Sequence, residues 1–199
     1  MIRPSALVRK RSTNQHDRGA SAVEAALITP VVMLLLFGII EFGIAFKDYL
    51  GVEAMVRAGV RTASAEPRLG GFAQNAVDQM VATGTVVPKQ DIQQLWVYKA
   101  NAGDDFPEGF SSYSDCTKCV KFTWDAGVKA FRPSVDNWAA VSQNACVKAV
   151  TGVMPDRIGV YVQVRHLSVS GIIRPLNISE ASAMYLEPFP ALQGCGPRP

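Results

Sequence analysis

Between Glu24 and Glu41 the chain passes through sixteen residues without a charge, AALITPVVMLLLFGII, and stays apolar through Phe42, Ile44 and Phe46 until Lys47. A helix rises 1.5 Å per residue, so the stretch between the two carboxylates covers ~25 Å, against a bilayer hydrocarbon core of roughly 30 Å. Each carboxylate can then stand near one interface. The positive charges precede the stretch, which predicts a cytoplasmic N-terminus and an exported C-terminal body.

Charge placement sharpens this reading. In residues 1–19, Arg3, Arg9, Lys10, Arg11 and Arg18 oppose only Asp17, a net of +4, whereas the whole 199-residue chain carries +3. The body is therefore near neutral, which excludes the basic face of a nucleic-acid binder. Apolar residues make up 48% of the chain and charged residues 19%, the balance of a folded protein rather than a disordered one. Cys116, Cys119, Cys146 and Cys195 all lie on the exported side, where disulfides form and persist.

Three processing histories fit such an N-terminus. A secretory signal would be cut after Gly43-Ile44-Ala45, although Glu41 stands just ahead of that site and the apolar run is long. An uncleaved signal anchor is the second. The third accounts for more residues: basic tail, Gly19, Ala20-Ser21-Ala22-Val23, Glu24, then the apolar helix. This order resembles the type IV prepilin (class III) signal, in which cleavage on the cytoplasmic side follows the glycine and the helix is kept. Ala20 then becomes the new N-terminus and Glu24 its fifth residue. A carboxylate in the first turn offsets the positive end of the helix. When subunits stack, Glu24 of one can pair with the Ala20 amine of the next. That relieves the ~2.5–3.5 kcal/mol cost of an intramembrane charge and sets axial register. The plainer role, an interfacial glutamate capping the first turn, stays open beside it.

The segment RGASAVEAALITPVVMLLLFGIIEFGIAFKDYLGVEAMVRAGVRTAS, residues 18–64, resembles the TadE-like family, minor pseudopilins of the Tad (tight adherence) apparatus that builds Flp pili. The carrying features are the RGASAVE cleavage region, Pro30 within the apolar run, FGIIEFG at its end, and RAGVRTAS with Arg57 and Arg61. Ala25 stands where family members commonly have an aromatic residue. The resemblance implies a prepilin peptidase acting at Gly19-Ala20, assembly with a major Flp-type pilin and TadF-like proteins, and Glu24 as a register residue. Glu41 is either an outer-interface carboxylate or a contact to a partner helix, because Gly38 and Gly43 permit close approach. Pro30 removes one helical hydrogen bond and predicts a kink.

The rest of the chain reads as an α+β fold: a long N-terminal transmembrane helix, the pilin-like spine, packed on a small antiparallel sheet with short helices. The expected organisation is a leader over 1–19, a spine helix over 20–66 and an extracytoplasmic domain over 67–199. Val52, Val56 and Val60 form an apolar stripe on the spine, and Glu53 and Arg57 an i,i+4 pair. A second helix is expected over 72–82, and strands over 94–99 and 120–124. Ser134 is a candidate N-cap for a helix through Val150, with Trp138, Val141, Ala145 and Ala149 on one face. Ile158, Val160, Val162 and Val164 alternate in the clearest strand, 157–165, which slips or ends at His166. A weaker strand follows over 178–188, giving three or four strands in all.

No enzyme is legible. Cys116-Thr-Lys-Cys119 has redox spacing but leads into a strand rather than opening a helix in a βαβ unit. All four cysteines are disulfide candidates in any of three connectivities, and a zinc site is a weaker alternative. His166, the one histidine after residue 19, lacks a nucleophile-elbow motif and reads as a strand-end residue. Asn177-Ile178-Ser179 fits a glycosylation pattern without a context that would use it. No catalytic, cofactor or metal site, no nucleic-acid partner and no small-molecule substrate is expected. Two other functions remain: a secreted or anchored disulfide-stabilised binding domain, indifferent to Glu24→Ala, and an extracytoplasmic thiol oxidoreductase, dependent on Cys116 and Cys119.

Overall fold

The computed structural model describes residues 15–146, 154–168, 171 and 174–188, with side chains from residue 19 onward. A long helix α1 (Gln15–Ala65) is followed by α2 (Phe72–Thr83) and five strands, β1 (Ile92–Ala100), β2 (Cys119–Asp125), β3 (Ala130–Asp136), β4 (Arg157–His166) and β5 (Leu176–Tyr185). The strands form one antiparallel sheet in the order β3-β2-β1-β4-β5. The fold is α+β. The chain divides into two compact units, Met1–Phe42 and Gly43–Pro199, so the last part of α1 belongs with the sheet.

In the second unit the valine stripe of α1 does what its spacing predicts. Val52, Met55, Val56, Val60 and Ala63 are buried together with Phe72, Ala76, Val77 and Met80 of α2. They join the sheet face formed by Leu95, Val97, Phe122, Ile158, Val160, Val162 and Val164 in one core. Gly59 of α1 lies directly under the Met80 side chain, which is how the two helices approach so closely. The second sheet face is also covered: Trp96, Tyr98, Cys119 and Tyr161 cluster with Cys116, and Tyr113 packs against them. Hence Tyr161 is buried although it alternates with the core-facing valines.

The helix expected from Ser134 to Val150 does not form over its described part, and the sheet has five strands instead of three or four. Ser134 lies inside β3, where its hydroxyl donates to the Lys121 carbonyl at 3.1 Å, and only Ala140–Ser142 makes a single 3-10 turn. The local capping signal loses to pairing with β2, which buries Phe131 against Trp124 at a ring separation of 5.2 Å. Pro133 is tolerated because β3 is an edge strand, next to a register shift at Lys121/Phe122. Trp138 is buried edge-on to Phe72, and Ala145 is buried, whereas Val141 is 61% exposed. Ala149 and Val150 lie outside the described residues. The final strand starts two residues earlier than expected, at Leu176, and β4 ends at His166.

Gly159 faces Tyr98 across the β1–β4 pair, and a Cβ there would overlap the tyrosine ring. That ring cannot swing away, because its hydroxyl donates to the Asp105 carbonyl in the covering loop. Gly159→Ala should therefore destabilise the domain by about 1–3 kcal/mol, the usual cost of overpacking. Thermal unfolding followed by near-ultraviolet circular dichroism checks this, and an unchanged midpoint would refute it.

Candidate functional site

The apolar half of α1 is the feature that needs a function. Val23, Leu27, Leu34 and Phe42 are 61–73% exposed, and the most apolar stretch of the helix has none of its residues buried. Such a surface is costly in water, and the helix is long and apolar enough to cross a membrane. It fits a single-pass membrane protein. Gly19 and Ala20 lie in helical, exposed backbone, and Glu24 is exposed one turn beyond Ala20. Pro30 sits inside the helix; the hydroxyl of the preceding Thr29 donates to the Ala25 carbonyl one turn back at 2.6 Å. Glu41 departs from its neighbours, being only 5% exposed.

Where α1 joins the sheet domain, Asp48 and His166 meet. His166 Nδ1 and Asp48 Oδ2 are 2.8 Å apart with both side chains nearly buried, and Lys47 Nζ stands 3.4 Å from Asp48 Oδ1. The strand-end position of His166 was legible, but its partner was not, since the two residues are 118 apart. At the other end of the domain, the Glu187 N–H donates to the Ser64 carbonyl at 2.9 Å. The spine is thus held on the sheet by polar contacts at both ends and apolar packing between. Glu53 and Arg57 form their expected ion pair on its surface.

The end of the sheet near Ser64 carries the disulfide and a charged network. Cys116 and Cys119 are bonded to each other, and Cys119 opens β2 with no exposure. No helix terminus activates either sulfur, and as a disulfide neither is a thiolate ligand for zinc. Cys146 is also disulfide-bonded, and Cys195 lies outside the described residues. Tyr113 stacks on Tyr161 with ring centroids 4.2 Å apart, and burial pushes the Tyr98 hydroxyl above its usual value of 10. Beside them Lys99 reaches Glu108 at 2.8 Å and Asp156 at 3.1 Å, and Lys118 reaches Glu108 at 2.7 Å. Lys99, Glu108, Asp156 and Arg157 line an open hollow of about 380 Å³. Among the described residues no group of three or more His, Cys, Asp or Glu side chains is placed to hold a metal.

Two predictions come from these contacts. Removing either member of the Asp48–His166 pair leaves a buried polar group behind, so Asp48→Ala and His166→Ala should each cost about 1–3 kcal/mol. The double variant should cost less than the two together, and strict additivity in thermal unfolding would show that the contact does not stabilise the fold. Burial would raise the Glu108 carboxyl, but Lys118 and Lys99 outweigh it and hold it below its usual 4.5. Its stabilising contribution is therefore present above pH 4.5 and lost as pH falls through the lowered value in the fold. Glu108→Gln should be less stable at neutral pH and decline more gently in acid, as melting curves across that range would reveal.

Residues 19–61 match the family of TadE-like proteins. The matched stretch begins at Gly19 and runs within α1, leaving the sheet outside it. No curated protein and no solved structure matches the chain.

Proposed function

We propose, with the TadE-like match of residues 19–61 as the premise, that this chain is a minor pseudopilin of a Tad/Flp-type pilus. It inserts with its N-terminus in the cytoplasm and its sheet domain outside. A prepilin peptidase cuts between Gly19 and Ala20, and the retained helix packs beside those of a major Flp-type pilin and TadF-like proteins. The observation that carries this reading is an exposed apolar N-terminal half of α1, with the family match starting at Gly19 and Glu24 one turn past Ala20. Four residues along a helix place Ala20 and Glu24 on one face, so the freed amine and the carboxylate of adjacent subunits can meet after a small axial stagger. The leader (1–19), spine (20–66) and domain (67–199) act in that order: address, assembly, display. The chemistry is non-covalent association rather than catalysis.

The mature N-terminus from the native host, read by intact mass or N-terminal sequencing, tests the reading. A start at Ala20 is expected; a start at Phe46 or at Met1 would sink it. In the same strain Glu24→Ala should still be cut, but recovery with the major pilin should fall about tenfold, which corresponds to ~1.4 kcal/mol of lost pairing.

A further inference from the structure

The strand registers bring one set of chain segments to a single end of the sheet. Ile92 pairs with Val164, Asp125 with Ala130 and His166 with Leu176, so the start of β1, the β2–β3 turn and the β4–β5 connection share it. His166 touches Asp48 there, so this is the end at which α1 continues into its apolar half. Lys47 follows Glu41 by six residues, ~9 Å along the helix.

The exposed groups at this end are of two kinds. Val128 and Lys129 form the tip of the β2–β3 turn, with Val128 50% exposed and Lys129 at a left-handed φ of 53°. Val86, beside Gly51, is 45% exposed, and Lys89 lies 5.8 Å above the Trp124 ring. Lys47 and Arg165 are exposed as well. Of the acids at this end, Asp48 is held by His166 and approached by Lys47, which stays exposed. Asp125 accepts from the backbone of Gly127 and Val128 and approaches Arg132, which leaves Asp91, and Glu41 further along α1, to oppose the basic groups. At the opposite end the five acids Asp104, Asp105, Glu108, Asp115 and Asp156 face the four bases Lys99, Lys118, Lys121 and Arg157, which pair with them. The basic residues therefore gather where the apolar helix leaves the domain.

We propose that this end of the sheet domain rests on anionic lipid headgroups, with the Val86 and Val128 tips at the acyl boundary and Lys47, Lys89, Lys129 and Arg165 on the phosphates. An apolar tip flanked by a lysine is the arrangement such an interface favours, since the lysine stem lies along the apolar region while its charge reaches the headgroups. The inference rests on the reading that α1 spans the membrane. Each basic residue close to an anionic surface strengthens the attraction about fivefold.

The test is hydrogen exchange, read by mass spectrometry, on the full chain in lipid nanodiscs of phosphatidylcholine alone or mixed with phosphatidylglycerol. Residues 85–90 and 126–129 are expected to exchange several-fold more slowly on the mixed discs, with residues 101–118 alike on both. The difference should vanish in 1 M salt, where the Debye length is about 3 Å, and in Lys89→Gln/Lys129→Gln. Equal exchange on the two lipids, with residues 27–40 still protected, overturns the headgroup contact and leaves the membrane span standing. Free exchange of residues 27–40 overturns both. Slowing that depends on two copies sharing a disc, and not on lipid charge, assigns this end to a second copy and also overturns the proposal.

Discussion

A helix that is apolar on every side is stable in lipid, and one with a single apolar stripe is stable against a partner; α1 is the first kind from Ala25 to Ile40 and the second kind from Val52 onward. The remaining structure follows from that change. The striped half exposes Glu53 and Arg57 and buries Val52, Val56 and Val60, so it needs one flat aliphatic surface of matching length. The sheet supplies it through β1, β2 and β4, whose core-facing residues are almost all valine, leucine, isoleucine or phenylalanine. α2 completes the layer, and Met80 and Gly59 set how near the two helices come.

Covering one face of a five-stranded sheet leaves the other to be solved. Here the answer is aromatic: Trp96, Tyr98 and Tyr161 are roofed by Tyr113 and by a loop that runs into β2 through the Cys116–Cys119 disulfide. The loop is held by its own polar contacts, with Arg157 reaching the carbonyls of Asn101 and Asp104 and the Asp105 carboxylate. A small domain gains order from such a clasp because its core alone is limited. The CxxC spacing that suggests redox chemistry in the sequence forms, in the fold, a disulfide packed in that aromatic cluster.

Features set by short-range periodicity were legible in the sequence: the apolar run, the valine stripe, α2, and the alternation of Ile158 to Val164. Those decided by distant partners were not. Ser134 looks like a helix cap because its neighbourhood carries Trp138 and Ala145 at helical spacing, yet pairing of β3 with β2, in which its hydroxyl donates to the Lys121 carbonyl, outweighs that local preference. Asp48 follows Lys47 and reads as an interface charge until the fold delivers His166 to it. The choice among three disulfide connectivities is likewise a matter of which loop closes, and spacing alone does not contain it. Of the N-terminal features, the structure shows Gly19, Ala20 and Glu24 exposed on the helix and adds no contact that sequence reasoning lacked.

Apolar packing alone would leave the position of α1 along the sheet loosely defined. Val52, Val56 and Val60 repeat every four residues, so a shift by one turn presents a similar row of methyl groups to the same strands. The polar contacts break that degeneracy. A one-turn slip of ~5.4 Å would separate Asp48 from His166 at one end and the Ser64 carbonyl from the Glu187 N–H at the other. Both separations would strand groups that are now bonded and screened from water. The buried pair therefore fixes how many residues of α1 the sheet covers, and with that the length of apolar helix left uncovered.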